Sequence, residues 1–199
     1  MRPPEITAML NDAVQFLTKG QDDAALEQVN LAIRIAPQDP DTYAMRAGIY
    51  AQKKLWIRAE EDYQKVLALD PSNVPAKLDL AEIKFQQKLF DPARADFVSL
   101  EKDDNLGDLA SYRVFLCDLA AGHTVAAGKE LDAFNQVGSN ASYYYANAAW
   151  ALAHHKTEEG RGWLDSASRI FAPNKVNSYS ISLKDLGYLP LPPSPIPPQ

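Results

Sequence analysis

The residues that could carry chemistry are widely spaced in this 199-residue chain. Two histidines are adjacent, His154 and His155, and the acidic pair Glu158 and Glu159 follows them. Histidines that share a metal ion on a helix stand four residues apart, whereas adjacent side chains diverge by about 100 degrees. We therefore interpret this segment as a solvated helix end, and we predict no metal and no other cofactor.

The remaining candidate groups also lack the spacing of a catalytic set. His123 lies in a turn beside a glycine, without a partner at a recognised spacing. The single cysteine, Cys117, lies in an apolar helical segment, where a buried and inert thiol is expected. Acidic pairs such as Glu60 and Glu61 fall on helix positions that face solvent. Since no segment reads as a strand leading into a glycine-rich phosphate loop, we predict that the protein is not an enzyme.

Composition restricts the partners and the compartment. The formal net charge is −6 and the pI is about 5.1, which argues against nucleic acid because a basic face is needed to neutralise phosphates. No run of eighteen apolar residues occurs, so no membrane span is predicted. The first residues lack the apolar stretch of a secretory signal, which makes a cytoplasmic location the default. A periplasmic or exported location is the alternative if a signal peptide has been removed. The oligomeric state is left open.

The elements that must position these residues are helical hairpins, and residues 39–71 form the clearest example. Two apolar-periodic segments, spaced at three and four residues, flank a short polar turn at Lys53 and Lys54. Pro40 starts the hairpin and Pro71 stops it. The hairpin is therefore about 34 residues long, which is a period of helical repeats.

Copies of this hairpin recur along the chain. Steps of 34 residues from Ala59 reach Ala25, Ala93 and Ala127, and a step of 33 then reaches Gly160. Stacked helices approach most closely where side chains are small, so these positions predict helix contacts. Three further series keep the same interval. Four residues after each small position the residue is apolar: Val29, Tyr63, Phe97, Leu131 and Leu164. Seven residues after it the residue is again apolar: Ala32, Val66, Leu100, Phe134 and Ala167. Twelve residues before it the residue is mostly small: Ala13, Ala47, Ala81, Phe115 and Ala148.

The chain resembles the tetratricopeptide repeat family over roughly residues 6 to 172. The family's closing proline stands at Pro37 and Pro71, whereas Asn105 replaces it in the third repeat and it shifts by one residue to Pro173 in the fifth. The resemblance implies an all-α, right-handed α-solenoid of about five helix-turn-helix units in one domain, followed by a capping helix and a proline-rich tail. The predicted segments are a lead at 1–5, a solenoid at 6–173 with units at 6–39, 40–73, 74–107, 108–140 and 141–173, a capping helix at 174–187 and an extended tail at 188–199.

Three local features refine this prediction. Asp91 and Pro92 are expected as the N-cap and first residue of a helix. The polar stretch at 101–108 is expected to be the most flexible joint of the stack. Residues 178–186 are expected to form the capping helix, with an apolar face made by Tyr179, Ile181, Leu183 and Leu186.

The resemblance also implies a concave groove, lined by the second, fifth, ninth, twelfth and thirteenth positions of each repeat. Members that grip the carboxyl tails of heat-shock chaperones have cationic and amide side chains in the groove, but this chain has Leu10, Val14, Met45, Pro75 and Asp79, so that role is rejected. The groove is mostly small and apolar, which suits an amphipathic helix or an extended peptide. The predicted partner-binding residues are Leu10, Val14, Leu17, Ala44, Gly48, Gln52, Leu78, Glu82 and Phe85.

The leading functional prediction is a scaffold or adaptor that holds a peptide or partner protein in this groove. One alternative is a structural assembly factor of a cell-envelope or pilus-type complex, which the resemblance permits. Another is that the tail at 188–199 acts as a polyproline ligand for a different module, or folds back into its own groove.

Overall fold

The computed structural model describes residues 2–137 and 140–191, and in these ranges every regular element is an α-helix. The predicted all-α class is therefore confirmed. The chain divides between Gln87 and Lys88 into two compact units, here called unit 1 and unit 2, rather than one. The division falls inside the predicted third repeat and not in the polar stretch at 101–108. That stretch is held instead by Asp103, whose Oδ1 accepts hydrogen bonds from the amides of Asn105 and Leu106, both at 2.9 Å.

Unit 1 contains five helices. The helix α1 packs on α2 and α3 packs on α4, while α2 and α4 also contact the helix that follows each of them. The starts of α3 and α5 combine a proline in the first turn with a capping side chain. The Asp39 carboxylate accepts from the Asp41 amide at 3.1 Å, and the Asn73 side chain accepts from the Ala76 amide at 3.0 Å. The helices are α1 (Pro4–Thr18), α2 (Asp22–Ile35), α3 (Pro40–Gln52), α4 (Trp56–Leu69) and α5 (Val74–Gln86).

Unit 2 contains six helices in its described residues. The helix α6 packs on α7, α7 on α8, and α9 on α10, and α7 also lies beside α9. The last helix, α11, packs against α9. The helices are α6 (Phe90–Val98), α7 (Gly107–Ala121), α8 (Thr124–Val137), α9 (Ala141–Ala153), α10 (Thr157–Ile170) and α11 (Pro173–Asp185).

The recurring small residues lie inside the helical packing. Ala25, Ala59, Ala93 and Ala127 are fully buried, and Gly160 is buried as well. A Cβ on Gly160 would lie 2.7 Å from Cγ of Leu152, so α10 and α9 approach too closely there for any side chain without movement. The predicted helix contacts at these positions are therefore confirmed. The predicted series twelve positions earlier is also fully buried: Ala13, Ala47, Ala81, Phe115 and Ala148.

The turns that follow first helices share one backbone feature. In the turn between α3 and α4, the amide of Leu55 donates to the carbonyl of Tyr50 at 2.8 Å, which is the bond of a Schellman turn. The residue before that amide has a left-handed backbone. The same conformation recurs at one repeat position whatever the side chain: Gly20 (φ 70°), Lys54 (φ 56°), Lys88 (φ 60°), Gly122 (φ 80°) and His155 (φ 60°).

Several predicted boundaries are corrected. The helix α1 begins at Pro4, inside the predicted lead, because proline fits the first turn of a helix. The lead is also tied down, since Arg2 Nη2 donates to Asp39 Oδ1 at 2.9 Å. The helix α6 begins at Phe90, so Asp91 is not its N-cap.

The last helix is longer than predicted and uses a different face. It begins at Pro173, which opens α11 instead of closing the preceding repeat. Tyr179 and Leu183 are buried as expected, but Ile181 is 39% exposed. Val176 is buried in its place, because it lies three residues before Tyr179 and so shares its face.

One charged side chain ties three helices of unit 1 together. Arg46 on α3 donates from Nε and Nη2 to the two carboxylate oxygens of Asp62 on α4, each at 2.7 Å. Its Nη1 donates to Asn30 Oδ1 on α2, also at 2.7 Å. Such two-pronged pairing fixes geometry as well as charge, so it holds α3 in a defined position for the site described next.

Candidate functional site

A cavity of about 290 Å³ lies between α3 and α5 in unit 1, with the beginning of α4 beside it. We call it the inner-face pocket, because several residues at predicted groove positions of the second and third repeats line it. Its lining combines aromatic, amide and charged side chains. These residues are Ala51, Gln52, Lys54, Trp56, Tyr63, Asp79, Glu82, Ile83 and Gln86.

The floor of the inner-face pocket is polar. The Tyr63 hydroxyl donates a hydrogen bond to the Asp79 carboxylate. Burial raises the pKa of Tyr63, and the neighbouring Asp79 raises it further. Burial also raises the pKa of Asp79, and the hydrogen bond from Tyr63 offsets part of that change. A Cβ on Gly48 would lie 3.8 Å from Tyr63 Oη, so this glycine lies directly beside the hydroxyl.

The lining of the pocket carries more negative than positive charge. Glu82 follows Asp79 by three residues on α5, which places both carboxylates on one face of that helix. The amides of Gln52 and Gln86 and the ring of Trp56 complete the lining, with Lys54 as its one cation. Two carboxylates and one ammonium give the lining a formal charge of −2 + 1 = −1.

Trp56 also borders a second cavity of about 570 Å³, here called the edge cavity. The edge cavity is more apolar, since Leu55 and Ile57 contribute to it and Ile57 is 74% exposed. Its remaining lining is Lys54, Arg58, Glu61 and Gln87.

The structure brings some of the predicted groove residues together. Gln52 and Glu82 both line the inner-face pocket, and Gly48 lies beside its floor. Ala44 and Leu78 are half-buried on the same two helices, and Ala44 packs against the core around Tyr43. A predicted surface shared by α3 and α5 is thus present as a cavity, while its role in binding stays a prediction.

The other predicted groove residues are placed differently. Leu10 is buried in the core of α1, α2 and α3, and Leu17 packs against that core. Phe85 is only 2% exposed, so a ligand cannot contact its side chain directly. Val14 alone among these four is well exposed, at 48%. Large apolar side chains near a helix crossing are drawn into the core, and the repeat position alone does not reveal this.

Sequence reasoning missed part of the pocket. The sequence pattern predicts Tyr63 only as a member of the apolar packing series. Asp79 was considered only as one of the positions at which chaperone-binding members of the family have cationic or amide side chains. A usable signal was present, because a buried tyrosine needs a partner for its hydroxyl and an aspartate inside an amphipathic first helix can supply one.

In unit 2 the corresponding inner positions are covered by α11. Tyr112 and Tyr145 stand at the fifth position of the predicted fourth and fifth repeats, which the family resemblance assigns to the groove. The ring of Tyr179 packs between them, with centroid distances of 5.0 Å and 5.5 Å. Hydroxyl groups of Tyr145 and Ser180 are hydrogen bonded at 3.0 Å. The last helix therefore occupies the inner face of unit 2.

The histidine predicted to stand alone in a turn has a partner. His123 Nδ1 lies 2.9 Å from Asp118 Oδ1, and Asp118 also accepts from Arg94 Nε at 2.6 Å. Arg94 Nη2 donates to Glu130 Oε1 at 3.2 Å. Burial, with the nearby Asp118 carboxylate, raises the pKa of Glu130 to about 7. These groups bind one another across α6, α7 and α8, so we interpret them as a structural network.

Unit 2 also contains a cavity of about 500 Å³ with several carboxylates in its lining. All four are already engaged. Asp108 accepts from Ser142 Oγ at 2.5 Å, and Glu130 pairs with Arg94. Glu101 accepts from Ser111 Oγ at 3.1 Å, and Asp103 accepts from the two backbone amides described above. We therefore interpret the acidic residues of this cavity as structural. It comprises Glu101, Asp103, Gly107, Asp108, Ser111, Glu130, Ala133, Phe134 and Asn140.

The remaining histidines and the cysteine lie at positions that have structural explanations. His154 Nδ1 lies 2.8 Å from the Trp150 carbonyl, and His155 is the left-handed residue of its turn. Cys117 is 1% exposed, as predicted. Across residues 2–137 and 140–191, no three or more His, Cys, Asp and Glu side chains are grouped so as to hold a metal ion. The same residues contain no helix with both the length and the apolar character needed to cross a membrane.

Comparison with known proteins identifies the repeat. Residues 50–105 match the tetratricopeptide repeat family. The sequence is 28% identical over 110 residues to sperm-associated antigen 1 of Rattus norvegicus, a match that covers 53% of this chain and 12% of that protein. This chain therefore spans only a small part of that relative.

Solved structures of low sequence identity share the fold. PilW, described as a widely conserved type IV pilus biogenesis factor, is 13% identical with a TM-score of 0.67, covering 94% of this chain and 89% of PilW. YrrB, described as a TPR protein with an unusual peptide-binding site, is 15% identical with a TM-score of 0.58, covering 88% of this chain and 89% of YrrB. At these identities the likeness shows the fold alone, which is an all-α helical repeat.

Proposed function

This chain is a tetratricopeptide-repeat protein, and from that premise we propose that it is a non-enzymatic scaffold which binds a peptide of a partner protein on the inner face of unit 1. The observation that carries the proposal is the inner-face pocket, where Gln52 and Glu82 of the predicted groove meet. Proteins of this family are generally scaffolds without catalytic activity. A peptide-binding site is also named for YrrB, which has the same fold.

The geometry favours binding because the pocket is held by rigid elements. Its walls come from helices that are packed in pairs, and α3 is fixed by the Arg46–Asp62 bonds. A preformed site loses little conformational entropy when a ligand enters, so more of the contact energy appears as affinity. Unit 1 is the favoured site, since α11 covers the corresponding positions of unit 2.

The proposal is tested by selecting ligands from a random peptide library on the immobilised full chain. Isothermal titration calorimetry then compares the selected peptides on the wild type and on Gly48→Leu, which adds a side chain beside the pocket floor. We expect at least about a ten-fold loss of affinity, equal to roughly 1.4 kcal/mol. The control is Gln64→Leu on exposed α4 surface, which should bind normally.

The helical circular dichroism of both variants should match that of the wild type. Recovery of no peptide, or equal binding by Gly48→Leu and Gln64→Leu, would exclude the inner face as the binding site.

A second candidate is a structural factor in a pilus-type or other envelope assembly. It is supported by fold-level analogy to PilW, which is weak support because one fold serves many functions. Cell fractionation followed by gel filtration tests it. The expected result is co-elution with a large envelope complex, and elution at the size of a free chain from the soluble fraction would count against it.

The predicted role of the tail is a separate question, since residues 192–199 lie outside the described residues. The tail was predicted either to occupy the chain's own groove or to be a polyproline ligand for another module. Deletion of residues 188–199 distinguishes these two roles when the affinities for a selected peptide and for polyproline-binding modules are measured. Tighter peptide binding supports occlusion of the groove, loss of module binding supports a ligand, and no change in either measurement eliminates both.

A further inference from the structure

We propose that the inner-face pocket takes a lysine or arginine side chain of the partner peptide. This inference rests on the proposed function and adds the chemistry that the partner must present. It comes from the shape and charge of the pocket in unit 1, which no comparison assigns.

The pocket has the capacity for one long side chain. Its volume is about 290 Å³, whereas a water molecule occupies about 30 Å³ of the liquid. A cavity of this size admits an unbranched side chain with its charge at the tip, because the methylene stem can lie along apolar lining residues such as Ile83. Lysine and arginine have this form.

The polar groups at the bottom of the pocket select the sign of that charge. Asp79 lies on the floor with Glu82 on the same face of α5, and two amides can offer carbonyl oxygens from Gln52 and Gln86. Tyr63 supplies Asp79 with one hydrogen bond, while a carboxylate can accept several. The burial that raises the pKa of Asp79 disfavours its ionised form, and an entering cation would reverse that cost.

The aromatic wall points to the same ligand. Trp56 borders the pocket, and an indole ring is the best natural partner for a cation stacked on its face. An anionic group, in contrast, would meet two carboxylates and find only Lys54 as a counter-charge. The net charge of −6 also favours approach of a basic peptide over an acidic one.

The experiment uses the full chain and the random peptide library described above. The selected peptides should show a lysine or arginine at one aligned position. Replacing that residue with methionine should weaken binding to the wild type by about ten-fold or more, the loss expected for a hydrogen-bonded charge.

Two protein variants complete a double-mutant cycle. Asp79→Asn keeps an acceptor for the Tyr63 hydroxyl, and Glu82→Gln keeps the size of the side chain. Each should bind the basic peptide about ten-fold more weakly and the methionine peptide with unchanged affinity. Glu27→Gln on exposed α2 surface is the matched control, since it removes the same charge far from the pocket in sequence and should leave both affinities unchanged.

Selected peptides without a basic residue, or variants that behave like Glu27→Gln, would overturn this inference. In that case Gly48→Leu would still weaken binding if the proposed function is correct. If no peptide is recovered, or if Gly48→Leu also has no effect, both proposals are overturned together.

Discussion

Tyr179 on the last helix donates a hydrogen bond to Asp108, which lies 71 residues earlier at the start of α7. The same carboxylate accepts from Ser142 Oγ on α9 at 2.5 Å. One acid thus joins α7, α9 and α11, and these bonds favour packing of α11 on the inner face of unit 2.

We predict that Tyr179→Phe lowers the free energy of unfolding by about 1–3 kcal/mol, because it leaves Asp108 with one bond fewer in a partly buried site. Urea denaturation followed by circular dichroism measures the change. Tyr144→Phe is a matched control, since its ring packs against Trp163 with centroids 6.2 Å apart and that packing is kept. Equal effects of the two substitutions would show that the bond to Asp108 adds no stability.

The repeat register predicts the cost of a larger side chain at a small position. Ala59 is fully buried between α3 and α4, so Ala59→Leu should destabilise by about 1–3 kcal/mol through overpacking. Lys53→Ala should stay within roughly 0.5 kcal/mol, because its 3.2 Å ion pair with Asp23 lies on the surface. Thermal unfolding of both variants makes the comparison, and an equal or larger loss of stability for Lys53→Ala would contradict the register.

The left-handed turns predict a stabilising glycine. His155 has φ of 60°, a conformation that costs a non-glycine residue about 1–2 kcal/mol. His155→Gly should therefore raise the melting temperature, with a gain of up to about 1 kcal/mol after the added chain entropy of glycine is subtracted. His155→Ala removes the same imidazole but keeps a Cβ, so it should show no gain. A rise in melting temperature for alanine as well would trace the effect to the imidazole instead.

The buried network around Glu130 predicts a pH dependence. Because the folded pKa of Glu130 is raised to about 7 from 4.5, the folded state holds this proton more tightly than the unfolded chain. The stability it contributes is fully present below about pH 4.5 and is lost as pH rises through about 7. The substitution Glu130→Gln removes this titrating group and keeps the size of the side chain, so the rest of the network (Asp118, Arg94 and His123) is retained.

We expect the wild type to lose melting temperature relative to Glu130→Gln across that pH window. Glu27→Gln, an exposed acid on α2, serves as the control and should follow the wild type. Parallel curves for Glu130→Gln and the wild type would rule out titration of Glu130 as the cause.

The sequence predicted the helical architecture because its signal is periodic and redundant. The buried alanines recur at a constant interval, and close helix packing tolerates little else there. Individual helix ends were harder to predict, as Pro173 shows. A proline is compatible both with the end of one helix and with the start of the next, and only the packing of α11 decides between them.

The candidate site was only partly predictable for a different reason. Gln52 and Glu82 were found from their repeat positions, but Tyr63 and Asp79 become a site only through their contact across α4 and α5. Phe85 was predicted to lie on the groove surface although it is buried. The position of a residue in a repeat indicates which helix face carries the side chain, but it does not indicate how deeply that side chain is buried. Replacement of Phe85 by glutamate would therefore disrupt folding before it tested binding.

The placement of α11 has a kinetic and thermodynamic corollary for any foreign ligand of unit 2. Only Phe171 and Ala172 separate α10 from α11, so the helix is tethered at an effective local concentration on the order of millimolar. A free competitor at micromolar concentration needs roughly a thousand-fold tighter intrinsic affinity to displace it. A weak ligand therefore cannot replace α11 on the inner face of unit 2, whereas a ligand of sufficient intrinsic affinity can displace it.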